Sequence, residues 1–226
     1  IAMAAVHFSI AIAQSLAAIA MVCWLAGLIR SREPFSAPRF FWPLVALGAA
    51  TFVSAMFSPQ PATSLVDTKQ LLLFLLVPVT YRFVSRDRAG TLITVAVSAG
   101  AASAAFGIFQ YGILHYDQLS QRPQGALGHY MTYSGLLMLM ISTALARVVF
   151  GDRDRAWAAL VMPALSIAVV LTFTRSAWVG ACVAAALIFA LKDFRLVAIV
   201  PVAAAVMLAV APSSVTQRFV SIFNLR

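Results

Sequence analysis

Between Arg155 and Lys192 the chain carries a single charged side chain, Arg175, in a run of 36 residues. As one helix that run would be ~54 Å long at ~1.5 Å per residue. The hydrocarbon core of a bilayer is only ~30 Å thick. The segment therefore has to cross twice, with a tight reversal between the halves. The reversal places Arg175 at or just beneath the membrane boundary.

The rest of the chain follows the same pattern. Stretches free of Asp, Glu, Lys and Arg cover 1–29, 40–66, 70–81, 89–116, 123–146, 156–174, 176–191 and 196–217. Seven approach the length of a span, about 17–25 residues. The short one, 70–81, is flanked by Lys69 and Arg82, which can snorkel to the interfaces. These stretches predict an all-α, polytopic integral membrane bundle of about eight helices. They are expected over 6–29, 40–57, 67–84, 91–114, 130–149, 157–173, 176–191 and 194–211. Residues 212–226 are expected to begin a loop. Of the 226 residues, 62% are hydrophobic and 10% charged, against ~25% charged in a soluble domain. That excludes a soluble globular fold and a disordered chain alike.

The formal charge of +9 would suggest a nucleic-acid partner in a soluble protein. Here the basic residues alternate by loop. Arg30, Arg32, Arg39, Arg82, Arg86, Arg88, Arg147, Arg153, Arg155, Lys192 and Arg195 fall on one side. Lys69, Arg122, Arg175, Arg218 and Arg226 fall on the other. The richer side is read as cytoplasmic, and no nucleic acid is needed. Trp24, Trp42 and Trp157 are expected at the inner boundary, and Tyr111, Tyr116, Tyr130, Tyr133 and Trp178 at the outer one. Small residues crowd 91–114, which suits a central helix. Leu71, Leu72, Leu73, Leu75 and Leu76 suit contact with lipid. Cys23 and Cys182 read as packing residues, with no disulfide framework or metal spacing. His7 reads as packing or interfacial.

Two outer segments stand out. Arg122-Pro123-Gln124-Gly125-Ala126-Leu127-Gly128-His129 joins two spans. Its glycines and proline favour irregular backbone, which survives at membrane depth only when buried in protein or lining a wet cavity. The other is Thr172-Phe173-Thr174-Arg175-Ser176-Ala177-Trp178. An arginine there stays protonated and needs a negative partner. Asp67 or Asp117 would serve, and so would an anionic ligand. Thr174 or Ser176 is expected to cap the following helix, whose start is itself an anion site. The guanidinium fork matches phosphate oxygens in pairs. Lys69, beside Asp67, reads as a solvated helix start that also suits a lipid phosphate. His129 and His115 face the outer side, where a loop role competes with a catalytic one.

The second segment is similar to the Thr-x-Ser/Thr-Arg-x-x-Trp signature of the O-antigen ligase and polymerase superfamily. Arg122-x-x-Gly125 before an apolar helix resembles that family's Arg-x-x-Gly motif. Val215-Thr216-Gln217-Arg218-Phe219 resembles the start of its large periplasmic loop. The resemblance implies a glycosyltransferase of the bacterial cell inner membrane. Such enzymes act in lipopolysaccharide biosynthesis and related pathways. They move a glycan from undecaprenyl diphosphate to an acceptor hydroxyl on the periplasmic side, without metal or other cofactor. The acceptor is a lipid A core, a glycan or a protein. Arg122 and Arg175 would be the catalytic pair handling the diphosphate. Thr174, Ser176, Gly125, His129 and Lys69 would bind substrate. The family's loop histidine, a candidate base, would lie beyond Arg226. The chain thus looks like a fragment lacking the first helix, the large loop and the last helices, inactive as it stands. A membrane transporter or flippase of a polyprenyl-linked or other anionic substrate is the competing expectation.

Overall fold

The computed structural model describes residues 5–7, 9–31, 35–118, 121–151 and 154–210. Among these, all regular structure is helical. The helices are α1 (Ile10–Ser31), α2 (Phe41–Met56), α3 (Pro61–Asp67), α4 (Leu76–Phe83), α5 (Arg86–Gly112), α6 (Tyr130–Phe150), α7 (Arg155–Leu171), α8 (Arg175–Lys192) and α9 (Ile199–Val210). A 3-10 segment, Thr68–Leu75, joins α3 to α4, and another, Phe194–Ala198, precedes α9.

Five helical stretches are long and apolar enough to cross a membrane: Ala11–Arg30, Pro61–Phe83, Asp87–Gly112, Tyr130–Phe150 and Arg175–Lys192. Phe41–Met56, Arg155–Leu171 and Phe194–Met207 are apolar but shorter. Large apolar side chains point outward along them, with Leu160 69%, Ile29 74% and Leu191 79% exposed. Such surfaces are costly in water and at rest in lipid. The fold is an α-helical, multi-pass membrane bundle. The stretch expected at 67–84 begins earlier, at Pro61, because proline suits the first turn of a helix. The expected loop 212–226 lies outside the described residues.

The chain divides into two compact units. In Gln14–Ala89, α2 packs on α3 and on the following 3-10 segment. Trp24, Phe35, Phe41 and Trp42 form an edge-to-face aromatic cluster there. Leu72 and Leu73 are exposed, as lipid-facing side chains should be.

The other unit is built on the residues up to Ala13 and from Gly90 onward. In it α6 packs against α7 and α8. Its core joins Val97 and Ala104 of α5 to Tyr133 and Leu137 of α6, Leu165 and Val169 of α7, and Ala177 and Trp178 of α8. Of the five long apolar stretches, the one carrying α5 is the most buried. The reason is steric. A Cβ on Gly100 would sit 2.6 Å from Met140 Cγ, and one on Gly107 would sit 2.0 Å from the Tyr133 hydroxyl. A Cβ on Gly180 of α8 would likewise sit 2.3 Å from Met138 Sδ. Small residues thus set the spacing of α5, α6 and α8.

The far ends of α5, α6 and α7 are tied by polar groups. The Arg147 guanidinium donates to the Gly90 carbonyl and lies 3.8 Å from the Asp154 carboxylate. Thr94 Oγ1 donates to the same carboxylate at 2.7 Å. Asp154 reaches both from a left-handed backbone (φ +60°) that reverses the chain into α7.

The aromatic belt is only partly as expected. Trp42 and Trp157 are exposed, whereas Trp24, Tyr133 and Trp178 are core residues. Tyr133 and Trp178 can be buried because each polar tip finds a carbonyl, Ser103 O at 2.9 Å and Val169 O at 3.0 Å.

Gly107→Ala should lower stability by about 1–3 kcal/mol, the usual cost of overpacking. The loss should shrink in a Tyr133→Phe background. Thermal unfolding in detergent, followed by size-exclusion fluorescence, measures both.

Candidate functional site

α7 ends at Leu171 and α8 begins at Arg175, so three residues make the reversal. In a membrane-embedded turn, the last carbonyls of one helix and the first N–H groups of the next need partners. The Val169 carbonyl accepts three bonds: from the Thr172 N–H at 3.3 Å, the Thr172 hydroxyl at 2.7 Å and the Trp178 indole at 3.0 Å. The Val170 carbonyl accepts from the Phe173 N–H at 3.2 Å. Thr172 and Trp178 are therefore clamps on the turn. Phe173 has a left-handed backbone (φ +54°) and is 1% exposed, with its ring 6.2 Å from that of Tyr111. A bulky side chain in that backbone region is strained.

The capping expectation for this turn is corrected. Thr174 does occupy the N-cap position, in extended backbone, but its side chain makes no capping bond. Its hydroxyl donates back to the Thr172 carbonyl at 3.2 Å instead. Ser176 lies inside the first turn and is exposed, so it does not cap either. The N–H groups at the start of α8 are left without a side-chain acceptor. Arg175 is the first residue of that helix and is partly buried. Its Nε is buried without a partner. Among the described residues no ion pair or hydrogen bond neutralises it. Burying such a charge unpaired is costly.

The Arg122 segment is anchored by Gln110, a buried residue of α5 that the sequence motifs do not include. Its amide nitrogen donates to the Gly125 carbonyl at 2.9 Å. Its amide oxygen accepts the Gln124 N–H at 3.1 Å and the Gly125 N–H at 2.9 Å. Gly125 is buried and takes φ +60°. A Cβ there would lie 2.7 Å from the Tyr133 ring. Gly125, expected to bind substrate, has both its N–H and its carbonyl bonded to Gln110. Arg122 lies over the Tyr130 ring, 4.5 Å from the centroid. His129 stacks on the same residue, its ring 5.4 Å from that of Tyr130 at 15°. His129 is exposed and does not cap α6 with its side chain.

These two segments occupy the same end of their unit. α7 runs antiparallel to both α6 and α8, so α6 and α8 start on one side. Met138 meets Gly180, eight residues beyond Tyr130 and five beyond Arg175. At ~1.5 Å per residue the two helix starts differ in level by only about 5 Å. Leu127 and Tyr111 pack against the core cluster that holds Phe173 and Trp178. Lys69 belongs to the other unit, where it is exposed on the 3-10 segment Thr68–Leu75.

Immediately below the turn lies an apolar groove of about 330 Å³ between α6, α7, α8 and α9. Val169, Val170 and Trp178, which build the turn, also line its wall, with Cys182, Ala203 and Met207 farther along. The site therefore combines an uncompensated cation at a helix start with an adjoining apolar channel, on a multi-pass membrane protein. No protein-family model, no curated protein and no solved structure matches this chain.

Gln110→Leu should leave the Gly125 segment without its anchor. The amides of Gln124 and Gly125 should then exchange with solvent about 10- to 100-fold faster, as expected for losing bonds worth ~1–3 kcal/mol. Hydrogen exchange read by mass spectrometry over 121–129 checks this, with 155–170 as the internal reference.

Proposed function

We propose that the protein is a glycosyltransferase of the bacterial inner membrane. It would move a glycan from an undecaprenyl diphosphate carrier to an acceptor hydroxyl on the periplasmic side, in the manner of O-antigen ligases. The observation that carries the reading is Arg175. It stands at the start of α8 with no anion paired to it among the described residues, three residues before Trp178, which lines an apolar groove. An amphiphile with a phosphate headgroup and a hydrocarbon tail matches that pair of features in one molecule. A soluble anion would leave the groove unexplained, and a neutral lipid would leave the charge unexplained.

The chemistry follows from charge. In glycan transfer the acceptor oxygen bonds to the sugar's anomeric carbon while the bond to the diphosphate oxygen breaks. The diphosphate leaves with the electron pair, and the acceptor loses its proton to a base. Negative charge on the leaving group grows toward the transition state, so a preorganised guanidinium stabilises that state more than the reactants. The N–H groups at the start of α8 add to the same field. Arg122 sits at the same end, its guanidinium oriented over Tyr130, and is assigned to the second phosphate or to the incoming glycan. Thr174 is occupied with Thr172, which leaves Ser176 and His129 as the exposed polar neighbours for substrate.

Arg175→Ala in the full-length protein should reduce transfer by about 10²–10³-fold, the usual cost of removing one oxyanion-type donor. Membrane insertion should be unchanged. Arg175→Lys should recover part of the loss, since it restores the charge without the fork. Photo-crosslinking to an undecaprenyl diphosphate analogue should fall in parallel. Wild-type transfer by Arg175→Ala would remove the assignment.

A further inference from the structure

His7 is 1% exposed, and neither of its ring nitrogens has a hydrogen-bond partner. It precedes the span Ala11–Arg30, in the short stretch that leads into α1. A neutral imidazole offers one donor and one acceptor, and proteins seldom bury both unmet. An apolar side chain of similar size would pack there without that cost. Packing alone therefore does not account for the imidazole.

The stretch is held lightly. The Ser103 hydroxyl of α5 donates to the His7 carbonyl at 3.5 Å, and Ser103 is itself buried. Ser9 turns the chain into α1: its N–H donates to the Ala5 carbonyl at 2.8 Å, and its hydroxyl accepts the Ile12 N–H at 3.4 Å. Docking thus rests on a buried ring and one long hydrogen bond. The same Ser103 hydroxyl lies 3.5 Å from where a Gly125 Cβ would stand. His7 is therefore docked on the reverse of the segment that presents Arg122.

No anion is placed to receive a proton on that ring. On α5, Arg86, Asp87 and Arg88 stand at the opposite end, fifteen residues or more from Ser103. On α6, the Tyr133 hydroxyl donates to the Ser103 carbonyl, and Arg147 is fourteen residues farther along. Arg122, on the Tyr130 ring, is a cation and would repel a second one. His115, Asp117 and His129 are exposed. Burial accordingly pushes the His7 imidazole below the ordinary histidine value.

We propose that His7 is a proton-operated latch, whose protonation releases residues 5–9 from α5. Docked, the ring stays neutral. Released, it takes a proton at the ordinary value of about 6.5. Docking is fully favoured above that pH and is lost as the pH falls below it. With the docked ring refusing the proton, the opening equilibrium rises by up to about 30-fold between pH 7.5 and pH 5. Release uncovers Ser103 and the back of the Gly125 segment. The proposal does not depend on the role given to Arg175.

The test follows hydrogen exchange over residues 5–13 in the full-length protein in lipid nanodiscs, from pH 7.5 to pH 5. Rates are corrected for the intrinsic pH dependence of exchange, with 155–170 as the internal reference. One helical turn is not stable by itself, so release should unprotect the Ser9 and Ala13 amides. In the wild type the opening constant should rise by the factor given above. In His7→Gln and His7→Leu, neither of which titrates, it should stay level. A level wild-type profile would overturn the proposal. So would a rise retained in either variant, which would assign it to another group. Ring-labelled histidine NMR on the wild type needs no variant: the His7 ring should take up its proton over the pH range in which the segment opens. Uptake with the segment still protected would overturn the latch.

Discussion

A backbone polar group released at a helix end inside a membrane must find a partner within the protein, because the hydrocarbon offers none. That constraint organises the larger unit. At the α7–α8 turn, the Val169 carbonyl is met by a hydroxyl, a backbone N–H and an indole. At the Arg122 segment, one glutamine side chain serves three backbone groups of Gln124 and Gly125. At the opposite end, Arg147 serves the Gly90 carbonyl. Thr172, Trp178, Gln110 and Arg147 are polar residues placed where helices stop. Arg175, whose Nε is buried without a partner, serves no such purpose.

The membrane class, the reversal near Arg175 and the central place of α5 were all legible in the sequence. Each follows from a one-dimensional quantity: the spacing of charges, a length set against bilayer thickness, and a run of small side chains. What stayed hidden was pairing across distance. Gln110 looked like an ordinary polar residue near the end of an apolar run. Only the fold brings it to Gly125, fifteen residues away. Tyr133 and Trp178 were read as interface anchors because their side chains are amphipathic. The carbonyls that let them be buried lie on other turns or other helices. The hydroxyl of Thr174 was expected to cap α8, since threonine favours that position. The Thr172 carbonyl, brought near by the left-handed Phe173, competed for the same group.

Motif and fold also divide the labour differently from what the residues alone suggested. Within Thr172–Trp178, the threonine and the tryptophan shape the turn while the arginine is left over. Within Arg122–His129, the glycine is pressed against Tyr133 and held by Gln110, while the arginine lies on an aromatic face. In both segments the non-charged positions fix the backbone and one guanidinium is presented at the same end of the bundle. A short pattern of this kind therefore encodes a scaffold more than a reacting set.

Phe173 shows why the scaffold is worth its strain. Its left-handed backbone costs of the order of 1–3 kcal/mol, and glycine would relieve it. Glycine would also empty a site that is 1% exposed, and removing a buried phenylalanine costs about 3–5 kcal/mol. Packing outweighs strain, so the aromatic ring stabilises the reversal even in an unfavourable conformation. The left-handed residue is also what lets α7 end and α8 begin within three residues. A longer, relaxed loop would satisfy the backbone equally well but would carry Arg175 away from the groove bounded by Val169 and Trp178. The strained turn keeps the cation and the apolar channel adjacent, and that adjacency gives the site its amphiphilic character.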